Sequence, residues 1–404
     1  MKSIILLIVL TISYTVVSQK QVKIKKGAWI SELQLNETDV LPFHIKVTQN
    51  NQITILNGEE EIALNSSIYK NDSFYVKFPY FNSELVFHQD NKKTLNGYWV
   101  NYNKSANYRI PFTSIKKKST RFGISKKIKN SIVVDGKWQV EFEPNSDSSY
   151  PAVGIFEQKK INVSGTFLTE TGDYRFLEGN STTDSLLLSC FDGSHAFLFK
   201  ARLNNDTLKG TFFSGNHWQS DWYGVRNDNY TLISPDDLTY IVKEDALKFQ
   251  LKDLNNNDFN FPHERFNNKV VIIQIMGTWC PNCLDETHYY KELYDKYNTE
   301  GLEIISICYE AGKSFEEYVA NVERLKSKLD INFTFLIGGK ASKNLASEHF
   351  KVLNEVISFP TSIFIGRDGK VKRVHTGFNG PGTGSYYNEY IEKTEALIQT
   401  LLDN

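Results

Sequence analysis

The chain of 404 residues is too long for one small domain and suits two or three, each able to bury its own core. Its 46 lysines and arginines against 47 acids leave a formal charge of -1, which excludes the concentrated positive surface that nucleic-acid binding needs. Hydrophobic residues at 40% and aromatics at 13% exclude a disordered chain, and four cysteines are too few for a disulfide-dense scaffold but enough for one reactive pair.

Residues 1–18, MKSIILLIVLTISYTVVS, read as an export signal. Lys2 supplies the positive start, Ile4 to Ile12 the apolar core, and Val16 and Ser18 the modest side chains before a cut after Ser18. A retained single-helix anchor is the alternative, but Ser13, Tyr14 and Thr15 break an apolar stretch that would need about 20 residues to cross a bilayer. The mature chain is therefore expected in the periplasm or otherwise exported.

Residues 22–240 read as a β-rich accessory domain of short antiparallel strands broken by Asn, Gly, Asp and Ser. Strands are expected at Ile53–Leu56, Ser73–Phe78, Leu85–His88, Trp138–Phe142, Tyr174–Phe176, Leu186–Ser189, Ala196–Ala201 and Thr211–Phe213, with turns at Asn57-Gly58 and Glu178-Gly179. A barrel or a sandwich would satisfy the pattern, with many short consecutive strands leaning towards a barrel. Asp72-Ser73-Phe74 leading to Leu95-Asn96-Gly97 is echoed by Asp184-Ser185-Leu186 leading to Leu208-Lys209-Gly210. The echo reads either as two related units or as the shared vocabulary of Asn/Gly hairpins.

Pro235-Asp236-Asp237 is expected to be a hinge, and residues 241–404 an α/β domain. Val270–Ile275 reads as a buried strand, Leu284–Tyr297 as a helix, Leu302–Cys308 as a second, parallel strand and Phe315–Leu329 as a second helix. Phe333–Ile337, Thr361–Ile365 and the edge partner Val371–Thr376 complete the sheet, and Tyr386–Leu402 closes the chain as a helix with Ser385 as its expected cap. The stretch Gly377-Phe378-Asn379-Gly380-Pro381-Gly382-Thr383-Gly384-Ser385 lacks the lysine of a phosphate-binding loop and follows a late hairpin, so it reads as a connection.

Trp279-Cys280-Pro281-Asn282-Cys283 stands between a buried strand and a helix, the setting in which a Cys-x-x-Cys pair is redox-active. Free N–H groups and the helix dipole at the helix start stabilise a thiolate. Cys280 is expected to be the more exposed, attacking thiolate and Cys283, one turn in, the buried thiol that resolves a mixed disulfide. Pro281 suits the first helical position, where no N–H is needed. A zinc site would need two more ligands, and Cys190 and Cys308 stand alone, with His288 the one nearby supplement. A purely structural disulfide is the other competitor, disfavoured by the strand–loop–helix setting.

On these motifs residues 246–404 resemble the exported thioredoxin-like thiol-disulfide oxidoreductases of the TlpA/ResA-like family. The matching pieces are Val270–Ile275, Gly277 to Cys283, Leu302–Cys308, Phe359-Pro360-Thr361 and Gly366-Arg367-Asp368-Gly369-Lys370. The resemblance implies a cis Pro360 facing the cysteines, the backbone of Phe359 free to pair with an incoming cysteine peptide, and Trp279 shielding the sulfurs. It implies reduction of disulfides in cysteine-containing proteins, a membrane or soluble thiol electron donor, and neither cofactor nor metal. Common thioredoxins bury an aspartate six residues before the first cysteine; Gln274 stands there, and Glu286, three residues past Cys283, matches a glutamate common in the exported branch, set either to tune the thiols or merely to decorate the helix start. The β-rich half, without a catalytic cluster, reads as a recognition or dimerisation module, so a homo-oligomer stays open. The competing reading is a glycan or protein binding module with a subsidiary or degenerate redox domain.

Overall fold

The computed structural model describes residues 22–105, 107–243 and 247–404. The expected export signal, and Ala246 where the family resemblance begins, lie outside the described residues. The chain folds into a large β-rich region followed by a thioredoxin-like domain.

The first sheet is a nine-stranded antiparallel half-barrel in the order Glu60–Ala63, Ile53–Asn57, Val40–Val47, Gly27–Gln34, Arg109–Ile115, Thr94–Asn101, Ser83–Asn91, Ser73–Lys77, Ile68–Lys70. The two ends of the sheet approach at one point, where the Asn65 N–H, just past Glu60–Ala63, donates to the Lys77 carbonyl of Ser73–Lys77. Alternation explains its single apolar face: in Arg109–Ile115 every second residue is buried, Ile110, Phe112 and Ser114 inward.

The second sheet closes into an eight-stranded barrel. Its ring runs Gly136–Phe142, Tyr150–Lys159, Asn162–Thr169, Leu177–Ser181, Ser185–Phe191, Ala196–Asn204, Thr207–Ser214 and Trp218–Arg226, which pairs back onto Gly136–Phe142. Phe142, Phe167, Phe199, Phe212 and Trp222 fill the inside with tilted and edge-on ring contacts. Arg121, fully buried between the two sheets, donates to Ser189 Oγ (2.9 Å), the Leu56 carbonyl (2.7 Å) and Asn57 Oδ1 (2.9 Å) and pairs with Glu178.

Two sequence expectations fail in the barrel. Tyr174–Phe176 is not a strand but the crossing between the two-residue strand Gly172–Asp173 and Leu177–Ser181, with Arg175 at a positive φ of 63°. Glu178-Gly179 is not a turn. Both lie inside Leu177–Ser181, where a Cβ on Gly179 would come within 2.9 Å of Leu188 Cα and closer still to the Leu187 carbonyl.

The C-terminal sheet has seven strands in the order Asp258–Phe261, Phe249–Asp253, Thr334–Lys340, Leu302–Glu310, Val270–Met276, Thr361–Ile365, Val371–Thr376. The Val270–Met276, Leu302–Glu310 and Thr334–Lys340 strands run parallel, and every residue of the first is buried because helices cover both faces. Phe315–Leu329 begins on Ser314, whose side chain accepts from the Glu317 N–H, with Glu316 and Glu317 in its first turn and Lys326 and Lys328 in its last, matching the helix dipole. The Phe249–Asp253 hairpin and the helix Lys343–His349 were not foreseen from the sequence. Gly384, not Ser385, is the N-cap of the last helix, Ser385–Asp403, and Ser385 makes its first turn. Pro235-Asp236-Asp237 is no hinge: it forms the short helix Pro235–Leu238, pinned to the sheet edge by Asp236 pairing with Arg373 (2.9 Å) and His375 (2.6 Å). Among the described residues no helix is long and apolar enough to cross a membrane.

Candidate active site

The Val270–Met276 strand hands the chain to Gly277, Thr278 and Trp279 before the helix Pro281–Tyr297. This short passage is held from the end of the neighbouring Leu302–Glu310 strand. The carboxylate of Glu310 accepts from the Thr278 N–H (2.8 Å) and hydroxyl (2.7 Å), and the Tyr309 carbonyl accepts from Trp279 Nε1 (2.9 Å). A Cβ on Gly277 would lie 2.8 Å from that same carbonyl oxygen, so glycine is required for the close approach. Burial pushes the Glu310 carboxyl up to about 7 despite its Thr278 bonds.

Cys280 is the N-cap residue and Pro281 the first residue of the helix. Cys280 Sγ accepts the Cys283 N–H at 3.3 Å, filling a position usually held by Ser, Thr, Asn or Asp oxygen, and its S–H faces the Phe359 carbonyl at 3.6 Å. Cys283 is fully buried, and burial, with the adjoining Cys280, holds its thiol well above the ordinary value. The Phe359–Pro360 peptide is cis, and the Phe359 ring lies edge-on to Trp279 with centroids 6.0 Å apart. Cys280, Cys283, Trp279, Pro281, Phe359 and Pro360 thus meet at one point.

Cys280 is more exposed than Cys283, at 9% against 0%, but both are buried. Cys190 and Cys308 are fully buried inside strands, and burial raises both thiols well above the ordinary value.

Glu286 sits behind the cysteines, fully buried. Its carboxylate accepts from Gln274 Nε2 (2.9 Å), Ser362 Oγ (3.0 Å) and the Tyr290 hydroxyl (3.1 Å). Burial pushes it up to about 7, and these hydrogen bonds oppose the rise. Gln274, in the place of the titrating aspartate, also accepts from Ser306 Oγ (2.7 Å) and so orients Glu286 rather than replacing the acid. His288 packs edge-on against Tyr80 of the half-barrel at 5.8 Å. Sequence reasoning missed Glu310, whose one signal was an acid at the end of an apolar strand. It also missed every contact from the β-rich region. Among the described residues no group of three or more His, Cys, Asp and Glu side chains is placed to hold a metal ion.

The Redoxin family matches residues 242–391. The chain is 30% identical over 154 residues to the thiol-disulfide oxidoreductase ResA of Bacillus thuringiensis subsp. konkukian, an alignment covering 38% of this chain and 78% of that protein. It is 30% identical over 138 residues to ResA of Geobacillus thermodenitrificans, covering 34% of this chain and 70% of the relative. The crystal structure of a putative thiol:disulfide interchange protein DsbE from Chlorobium tepidum aligns at 20% identity with a TM-score of 0.31, over 40% of this chain and 99% of that one.

Proposed function

Because the chain belongs, through its C-terminal domain, to the ResA-like thioredoxin-family thiol-disulfide oxidoreductases, we propose that its exchange chemistry runs through Cys280 and Cys283 in the direction of reduction. The observation that carries this reading is Cys280 Sγ at the N-cap of the Pro281–Tyr297 helix, accepting the Cys283 N–H at 3.3 Å. A thiolate there is stabilised by that N–H and by the helix dipole. The Cys280 thiolate attacks one sulfur of a partner disulfide, forming a mixed disulfide and releasing the other partner sulfur as a thiolate. Cys283, on losing its proton, then attacks the Cys280 sulfur, closing the Cys280–Cys283 bond and freeing the second partner thiol.

Glu286 is placed in this reading as the group that tunes Cys283 through its charge, and Trp279, Pro281, Phe359 and Pro360 as the frame of the sulfurs. The reducing direction is what the resemblance to the exported reductase branch implies. The substrates are disulfides of cysteine-containing proteins, and a membrane or soluble thiol donor returns the pair to the reduced form. Residues 1–18 direct export, 22–240 form the accessory region and 241–404 the redox domain. The test is insulin reduction by the full chain with dithiothreitol as donor. Cys280→Ser is expected to abolish turnover while leaving the melting curve in place; full activity in that variant refutes the assignment.

A further inference from the structure

Two loops of the barrel close over the cysteine end of the redox domain. From the first, Asp173 Oδ2 accepts the Gly380 N–H at 2.7 Å and lies 3.4 Å from Asn282 Nδ2, inside the Cys-Pro-Asn-Cys segment itself. Contact here is backbone to backbone: a Cβ on Gly377 would come 2.6 Å from the Thr171 carbonyl oxygen. From the second, Ser194 Oγ donates to the Trp279 carbonyl at 3.0 Å, while Ser83 Oγ of the half-barrel holds the Gly193 carbonyl at 2.6 Å.

Arg175 ties these pieces together. Its guanidinium, 5% exposed, pairs with Glu60 of the half-barrel (2.7 Å), Asp192 of the barrel (3.6 Å) and Asp285 of the redox helix. One cation thus joins all three bodies five residues along the helix from Cys280. Burial opposes its charge, but the carboxylates of Asp285, Glu60, Asp192 and Asp173 outweigh that and keep it protonated. Removing the guanidinium would leave a surplus of buried negative charge.

We propose that these loops are the specificity-determining wall of the redox site: residues 171–175 and 193–194 admit small disulfides to Cys280 and exclude protein disulfides until the Arg175 junction opens. A mixed disulfide needs an S–S bond of about 2.05 Å, which brings the partner Cβ and its flanking backbone against the residues around Cys280. Trp279, Asn282 and Gly380 are already occupied by Ser194 and Asp173. A small disulfide needs only the sulfur to be reached, whereas a protein partner needs the occupied surface. The inference deepens the function proposed above and rests on Cys280 as the attacking group.

The test uses the reduced full chain. Iodoacetamide capture of Cys280 is followed by mass spectrometry, alongside reduction of oxidised glutathione and of insulin, in the wild type, Arg175→Asn and Ser194→Ala. Asn tolerates the positive φ at position 175. Arg175→Asn is expected to speed capture of Cys280 roughly tenfold or more, as cutting a buried charge pair implies, and to raise the insulin rate more than the glutathione rate. Ser194→Ala, which removes one contact and no buried charge, gives a smaller shift in the same direction. Unchanged capture rates and an unchanged insulin-to-glutathione ratio in both variants overturn the wall. Glutathione turnover that survives Cys280→Ser would instead overturn the assignment of Cys280, so the two failures are distinguishable.

Discussion

Glu286 shows what a buried acid does to this domain's response to pH. Its ordinary value is 4.5 and burial carries it up to about 7, so the folded chain holds this proton more tightly than the unfolded chain does. The resulting stabilisation is fully present below about pH 4.5 and is lost as pH rises through about 7. For a fully buried group this amounts to about 2–3 kcal/mol between pH 5 and 8. Urea unfolding of the wild type and Glu286→Gln at the two pH values checks it. The stability advantage of wild type over the variant should shrink by that amount as pH rises, since Asp285 and Glu310, which burial also pushes up to about 7, titrate in both chains. Parallel pH dependences would refute the elevated Glu286. Glu286 was legible in the sequence only through the family resemblance, which places a glutamate three residues past the second cysteine; its burial was not. Glu310 was not legible, because an acid at the end of an apolar strand usually meets water, and only the fold shows that Thr278 waits beside it. The contacts of Asp173 with Asn282 and of Ser194 with Trp279, on either side of the cysteines, were likewise hidden, since both residues are remote from that segment along the chain.

Elements of the redox domain were legible because each carries its own punctuation. The Phe315–Leu329 helix has a Ser cap, acids in its first turn and lysines in its last, and Val270–Met276 is an apolar run of strand length. The helix Lys343–His349 is too short for a periodic signal. In the barrel, local signals misled: Glu178-Gly179 has the composition of a turn, yet its glycine serves the contact with Leu187 and Leu188 across the sheet. Gly179→Ala should therefore destabilise the chain by at least about 1–3 kcal/mol, the cost of overpacking a filled interior, because backbone on the facing strand must yield. A denaturant midpoint unchanged from wild type would show that the two strands are not so closely apposed.

For the whole molecule, the sequence separates a β-rich half from a redox half, and the structure shows how they meet. The apolar core of the half-barrel runs into the side of the C-terminal sheet that carries the Pro281–Tyr297 helix as one continuous cluster, and Arg175 bridges Glu60, Asp192 and Asp285 at its edge. No periodicity or motif announces such a junction, because its members are scattered between residues 60 and 285 and share nothing local. The β-rich region meets the cysteine end of the redox domain through Asp173 and Ser194, contacts that its own composition does not announce. Underlying all of this is a single chemical claim, that Cys280 attacks and Cys283 resolves. Incubating the full-length Cys283→Ser chain with oxidised glutathione, a small disulfide that the covering loops admit, and mapping the products by mass spectrometry tests it directly. Adducts joined through Cys280 and released by dithiothreitol are the predicted result; adducts through Cys190 or Cys308, or none at all, would contradict it.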